Sequence, residues 1–90
     1  MNHAAFINSV IADGYAEPVT VTREPNASVD THSHPFSAKA LILEGEIRLV
    51  VSDVSKIYRP GDIFQLDINT PHQEYYGPQG VTYLVGRRTL

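Results

Sequence analysis

From Val19 to Val85 the chain alternates short runs rich in β-branched and aromatic residues with Pro, Gly and Asn at close intervals. Many short strands with evenly spaced turn signals mean a sandwich or a barrel. Val19 to Thr22 reads as a strand that Pro25-Asn26-Ala27 turns, and Ser28 to His34 as a second. Ala40 to Glu44 and Ile47 to Val51 are expected to be joined by a tight hairpin at Glu44-Gly45-Glu46, where Gly45 can take positive φ. Ser55 to Arg59 pairs back. Pro60-Gly61-Asp62 then matches a type II turn, with Pro at its second position and Gly at its third. Ile63 to Leu66, Gln73 to Tyr76 and Val81 to Val85 complete the strands. The expected fold class is all-β, an antiparallel barrel or jelly roll.

One segment departs from this pattern. Phe6, Ile7, Val10 and Ile11 fall at helical spacing, with Asn8, Ser9 and Asp13 on the other side, and Gly14 can close the C-terminus. A short helix from about Ala4 to Ala12 is therefore expected outside the barrel, its apolar side serving as core packing. The 90 residues then read as a single domain, with residues 1–15 the helical segment and 16–90 the barrel. No repeat, linker or low-complexity stretch divides them.

Composition narrows the function. There is no Cys, which removes disulfides, thiolate metal sites and a Cys nucleophile. A net charge of -3 offers no basic footprint, so neither a nucleic-acid nor an anionic-membrane partner is expected. Met1 to Ala12 has no Lys or Arg, and Asn8 and Ser9 interrupt its apolar run. It reads as neither a signal peptide nor a membrane span, and the expected compartment is the cytoplasm.

The histidines carry the chemistry. His32-Ser33-His34 places two imidazoles at i and i+2, which leave the same face of a strand roughly 7 Å apart. His72 follows much later, behind a Pro-fixed turn in Asn69-Thr70-Pro71-His72. A third imidazole from a neighbouring strand completes a facial set of nitrogen ligands, and neutral imidazole is the commonest protein metal ligand. His3, in the N-terminal tail, is expected to take no part. Glu74 shares a strand face with His72; it can ligate, orient His72, act as a base, or stand solvated at the barrel mouth. Gln65, Arg48, Tyr75, Tyr76 and Tyr83 are weaker pocket candidates. Arg87 and Arg88 read as a solubilising basic end. Asp30 and Ser33 do not make a catalytic triad with His72, since no Ser has the nucleophile-elbow context.

Asn26 to Gly45 and Gly61 to Tyr76 together resemble the two signatures of the cupin family, over a span from about Val19 to Val85. In the first signature (Gly, five residues, His-x-His, three or four residues, Glu, six residues, Gly), His32, His34 and Gly45 match, and Asn26 holds the first Gly position. In the second (Gly, five residues, Pro-x-Gly, two residues, His, three residues, Asn), Gly61 and His72 match. Asp67, Asn69 and Tyr76 replace the Pro, the second Gly and the Asn. Asn for Gly is physically mild, because Asn tolerates the left-handed conformation. The Glu that completes the usual cupin metal site is replaced by Ala38, and the adjacent Lys39 cannot ligate while protonated.

The resemblance implies a small cupin with a divalent transition metal held by His32, His34 and His72, similar in ligand type to thiol and diketone dioxygenases of the superfamily. Fe(II), Zn, Mn and Ni all remain open as the ion. Three neutral imidazoles leave a metal its full charge, which favours a small anionic or chelating substrate. Two function classes follow: a metal-dependent enzyme such as a dioxygenase, or a non-catalytic module that senses a small ligand. Dimerisation with a second copy is expected in both, since so small a barrel has exposed edges and a thin core.

Overall fold

A computed structural model describes residues 2–89. Helix α1 (His3–Ala12) precedes six strands: β1 (Val19–Arg23), β2 (Ser28–His32), β3 (Ser37–Val51), β4 (Val54–Tyr58), β5 (Ile63–Leu66) and β6 (His72–Arg88). All pairings are antiparallel, in the order β1-β6-β3-β4, with β2 also on β6 and β5 also on β3. The two long strands are shared by two halves. The first part of β3 and the last part of β6 lie between β5 and β1; the end of β3 and the start of β6 lie between β4 and β2. This is the jelly-roll barrel expected from the strand cadence. No helix among the described residues is long and apolar enough to cross a membrane.

The expected hairpin at Glu44-Gly45-Glu46 does not form. Gly45 does take positive φ (+70), but inside the continuous strand β3, where the pairing with β6 slips between Ile42 and Glu44 and again between Gly45 and Ile47. The physical reason is a β-bulge, which bends a strand and inserts an unpaired residue without reversing the chain. Burial shows the phase change: Ala38, Ala40 and Ile42 face the core before it, Ile47 and Leu49 after it. Even positions give way to odd ones, so the same face stays inside. Strand β6 does likewise, with His72 and Tyr76 buried on one side of Gly77–Gly80 and Val81, Tyr83 and Val85 on the other. The two expected strands Gln73 to Tyr76 and Val81 to Val85 are thus one bent strand. Gly45 and Gly80 (φ +72) lie back to back at this bend, and a Cβ on Gly45 would overlap the Gly80 carbonyl oxygen.

The other turns follow local chemistry. Pro60-Gly61 is closed by the Asp62 amide donating to the Arg59 carbonyl at 2.8 Å, with Gly61 at φ +92. Asn26 and Asn69, at the two Gly positions of the resemblance, take φ +58 and +59. The β3–β4 turn carries Ser52 and Asp53 at φ +49 and +64, the backbone of a type I′ hairpin built without Gly.

Helix α1 starts with the Asn2 side chain accepting from the Ala5 amide at 2.7 Å, and Gly14 (φ +88) ends it. Phe6 and Val10, fully buried, pack with Tyr15, Leu41 and Leu84 on the outer face of the sheet. Ile11 was expected in that core but is 48% exposed, because it faces away from the sheet. Arg88 is no loose end either: its guanidinium donates to the Asp13 carbonyl at 2.8 Å and lies over the Tyr15 ring. It ties the last strand to the helix terminus, where a cation meets the negative end of the helix dipole.

Candidate metal centre

Strands β2 and β6 bring the histidines together. His32 ends β2 directly opposite His72, the first residue of β6, so both rings project from one face of the pair. Ser28 to His34 was expected to be all strand; it ends at His32. His34 follows in the connection to β3. There its carbonyl accepts the Asn69 amide at 2.8 Å, which ties the His34 segment to the left-handed turn before His72. The ring centroids of His32 and His72 are 4.2 Å apart, and that of His34 lies 4.9 Å and 5.4 Å from them. His34 also stacks on Phe36 at 4.9 Å. His3 is exposed on the helix and belongs to no such cluster.

Glu74 completes the group. One ligating atom from each of His32, His34, His72 and Glu74 lies within 4.8 Å of every other. Glu74 Oε2 is 2.9 Å from Nε2 of His32 and 3.1 Å from Nε2 of His72, and only 12% of the side-chain surface is exposed. Of the roles open to Glu74, solvated display at the barrel mouth is the one this geometry removes. The carboxylate missing at Ala38 is therefore present two residues after His72, on another strand. Ala38 itself is buried in β3 and lines the same cavity.

Hydrogen bonding prepares the ligand atoms. Nδ1 of His32 donates to the Asp30 carbonyl at 2.7 Å, and Nδ1 of His72 to the Thr70 carbonyl at 2.9 Å. Each ring thereby directs Nε2 at the cluster. Both Nε2 atoms face Glu74, which as a carboxylate can only accept. Protons alone would satisfy this arrangement only with two imidazolium rings side by side on one oxygen. A divalent cation satisfies it directly, since two imidazole lone pairs and a carboxylate oxygen converge on one point. The donor set thus fits a metal. The His34 pKa is lowered by burial and by His32 and His72 beside it, which keeps that ring neutral. Tyr76 donates to Glu74 Oε1 at 3.0 Å and holds the carboxylate in place. Burial and the Glu74 charge push the Tyr76 phenol well above its ordinary range, so it stays protonated as a donor.

A cavity of about 270 Å³ opens over the cluster, lined by Val29, Phe36, Leu49, Phe64, Leu66, Val85 and Tyr83, with Arg23 and Arg87 also on its wall. Three expected pocket groups are elsewhere. Gln65 lies between the inward residues Phe64 and Leu66 and donates to Tyr15 on the helix side. Arg48 and Tyr75 stack on each other at 4.1 Å on the outward face. The alternation of strand faces decides all three. Arg23 and Arg87 were missed, although the signal was legible: period two from Val21 reaches Arg23, and from Val81, Tyr83 and Val85 it reaches Arg87.

An antiparallel jelly roll with histidines from paired strands facing its hollow defines the cupin class of barrel. The cupin domain model matches residues 19–75, and the chain belongs to that family. An RmlC-like cupin from Shewanella frigidimarina superposes with a TM-score of 0.70 at 23% identity, covering 82% of this chain and 66% of that one. A cupin superfamily protein from Desulfitobacterium hafniense gives 0.69 at 18% identity, with 79% and 64% covered. A variant of oxalate decarboxylase from Bacillus subtilis gives 0.71 at 19% identity, covering 80% of this chain and 20% of that much longer one. The chain is thus shorter than each of these neighbours. No curated protein sequence matches it.

Proposed function

We propose that the protein is a metal-dependent cupin in which His32, His34, His72 and Glu74 hold one divalent transition metal for chemistry on a small molecule in the adjoining cavity. The observation that carries this reading is the sharing of Glu74 Oε2 by two Nε2 atoms whose Nδ1 partners are backbone carbonyls. When bound, such an ion acts as a Lewis acid or, as Fe(II), supports oxygen chemistry of the dioxygenase kind. The chain's own residues bind and orient. Tyr76 fixes the carboxylate, the two carbonyls fix the ring tautomers, and the apolar wall excludes water.

A non-catalytic, ligand-sensing role is the second reading, and one observation favours it. His32, His34, His72 and Glu74 are all taken up as ligands. The remaining titratable groups on the wall are Arg23, Arg87 and the two tyrosines, Tyr76 and Tyr83, and burial raises the pKa of both phenols. None of these is a base near neutral pH, so the wall itself supplies binding groups and no proton acceptor, and any proton transfer would fall to water on the ion. We also propose a homodimer: β1 is an edge strand bearing Val19, 49% exposed, and edges of this kind are covered by pairing. Light scattering should then give twice the mass of the 10.0 kDa chain.

Elemental analysis of the purified protein, followed by titration of the stripped form with Fe(II), Zn(II), Mn(II) and Ni(II), tests the metal reading. One equivalent should bind, and His72→Ala should abolish binding while His3→Ala leaves it unchanged. Affinity no better than about millimolar for every ion, far weaker than the roughly 10–16 kcal/mol of structural zinc sites, would overturn it.

A further inference from the structure

The cavity over the cluster has a charge that the metal ligands do not explain. Arg23 ends β1 and Arg87 nears the end of β6, and both lie on the cavity wall. Among the described residues Lys39 pairs with Asp13 and Arg59 with Glu46, and Arg48, Lys56 and Arg88 make no ion pair but lie away from the cavity, whereas Arg23 and Arg87 line it with no carboxylate within 4.0 Å. Each instead lies beside an aromatic ring of the same wall: Arg87 over Phe36 at 5.4 Å, Arg23 beside the Tyr83 hydroxyl. Phe36 in turn stacks on His34, so the Arg87 guanidinium lies one ring away from the cluster. Two guanidinium groups against the single carboxylate of Glu74 leave the cavity net positive, and a dication would make it more so. The chain as a whole carries -3. A concentrated positive cavity in a negative protein selects anions and draws them in.

The rest of the wall sets the body of the ligand. Leu49, Phe64, Leu66 and Val85 are apolar and buried. The cavity, about 270 Å³, falls just below the usual span of ligand sites, roughly 300–1,000 Å³, and so suits a small molecule. We propose that it takes a small organic monoanion, a carboxylate on an apolar body, with the carboxylate held by Arg23 and Arg87 and the body against the apolar wall. Planar guanidinium groups suit a carboxylate better than a point charge does, because they donate two parallel hydrogen bonds. This deepens the reading of the same site by naming the class of molecule that reaches it.

The test pairs benzoate with benzamide, which has the same shape and no charge, and follows binding by NMR shift perturbation in metal-stripped and Zn(II)-loaded protein. Stripped protein should bind benzoate about tenfold tighter than benzamide. Arg23→Gln and Arg87→Gln should each weaken benzoate at least threefold, by the same estimate for a charged hydrogen bond, and leave benzamide unchanged. The double variant should lose the preference, while Arg59→Gln, away from the cavity, should keep it. Equal affinity for both probes in the stripped protein, or a preference that survives in the double variant, overturns the proposal. If Zn(II) alone restores the preference in the double variant, the ion recruits the anion: the arginine assignment falls and the metal reading stands. If the arginine-dependent preference appears in a protein that binds no metal, the outcome is reversed, and the anion site stands alone.

Discussion

Replacing Glu74 by Gln keeps the shape of the side chain and removes its charge, so it isolates what the displaced carboxylate does. Metal that binds only the folded state at about 100 times its Kd adds about 2.7 kcal/mol of stability. For a domain of this size each kcal/mol moves Tm by about 4–8 °C, so the wild type should gain about 10–20 °C on metal addition. The ligand atoms of the cluster lie within 4.8 Å of one another, so an ion among them is close to Glu74. Even at about 4 Å and an effective dielectric near 20, a pair of unit charges is worth about 4 kcal/mol. An affinity loss of at least about 100-fold, or ~2.7 kcal/mol, follows. At the same metal concentration the variant should then gain only about 0.4 kcal/mol, or about 2–3 °C. The amide can still donate to an Nε2 lone pair, so the metal-free variant should remain folded, and the metal response is the readout.

Calorimetric or circular-dichroism melts with and without Zn(II) or Ni(II) provide the assay, and pH adds a second axis. Folding lowers the His34 pKa from its ordinary 6.5, by burial first and then by His32 and His72. Below that pH the unfolded chain binds the extra proton more readily, so stability is full above about 6.5 and falls as pH drops toward the lowered folded value. Metal binding needs neutral rings and follows the same sign, so the thermal gain should be large at pH 8 and small at pH 5. A Glu74→Gln variant with the full wild-type gain would show that Glu74 is no ligand and refute the reasoning.

Four further outcomes test the scaffold. Gly45→Ala should lower stability by about 3 kcal/mol or more in thermal melts, since strain at φ +70 adds to the overlap with the Gly80 carbonyl. Gly61→Ala, with nothing within 4 Å of the added Cβ, should show only the backbone strain, about 1 kcal/mol. Converting Ser52-Asp53 to Asn-Gly should raise Tm by about 4–8 °C, because both positions already hold the left-handed backbone that Asn and Gly adopt most easily. Arg88→Ala should reduce stability by about 0.5–1 kcal/mol in urea titration, through loss of the donor to the Asp13 carbonyl.

Much of this protein is local, and what is local is legible in the chain. Pro60-Gly61 and Asn26 sit at turns because their φ preferences belong to single residues, and the i, i+3, i+4 spacing of α1 depends on no partner. The His-x-His pair and the Pro-linked His72 marked the site because ligand type and strand period are properties of the sequence. Tertiary structure decided the rest. Glu44-Gly45-Glu46 has the residues of a hairpin, and the choice between reversing and bulging depends on whether β6 lies alongside to receive the bend at Gly80. Glu74 shares a strand face with His72 in any extended model. Whether that face looks inward depends on the phase change at Gly77–Gly80, which no alternation rule predicts, because a bulge inverts the pattern it interrupts. Arg23 and Arg87 are in phase with the inward faces of their strands, but charged strand ends look like solvated termini until the barrel curves them over a common hollow.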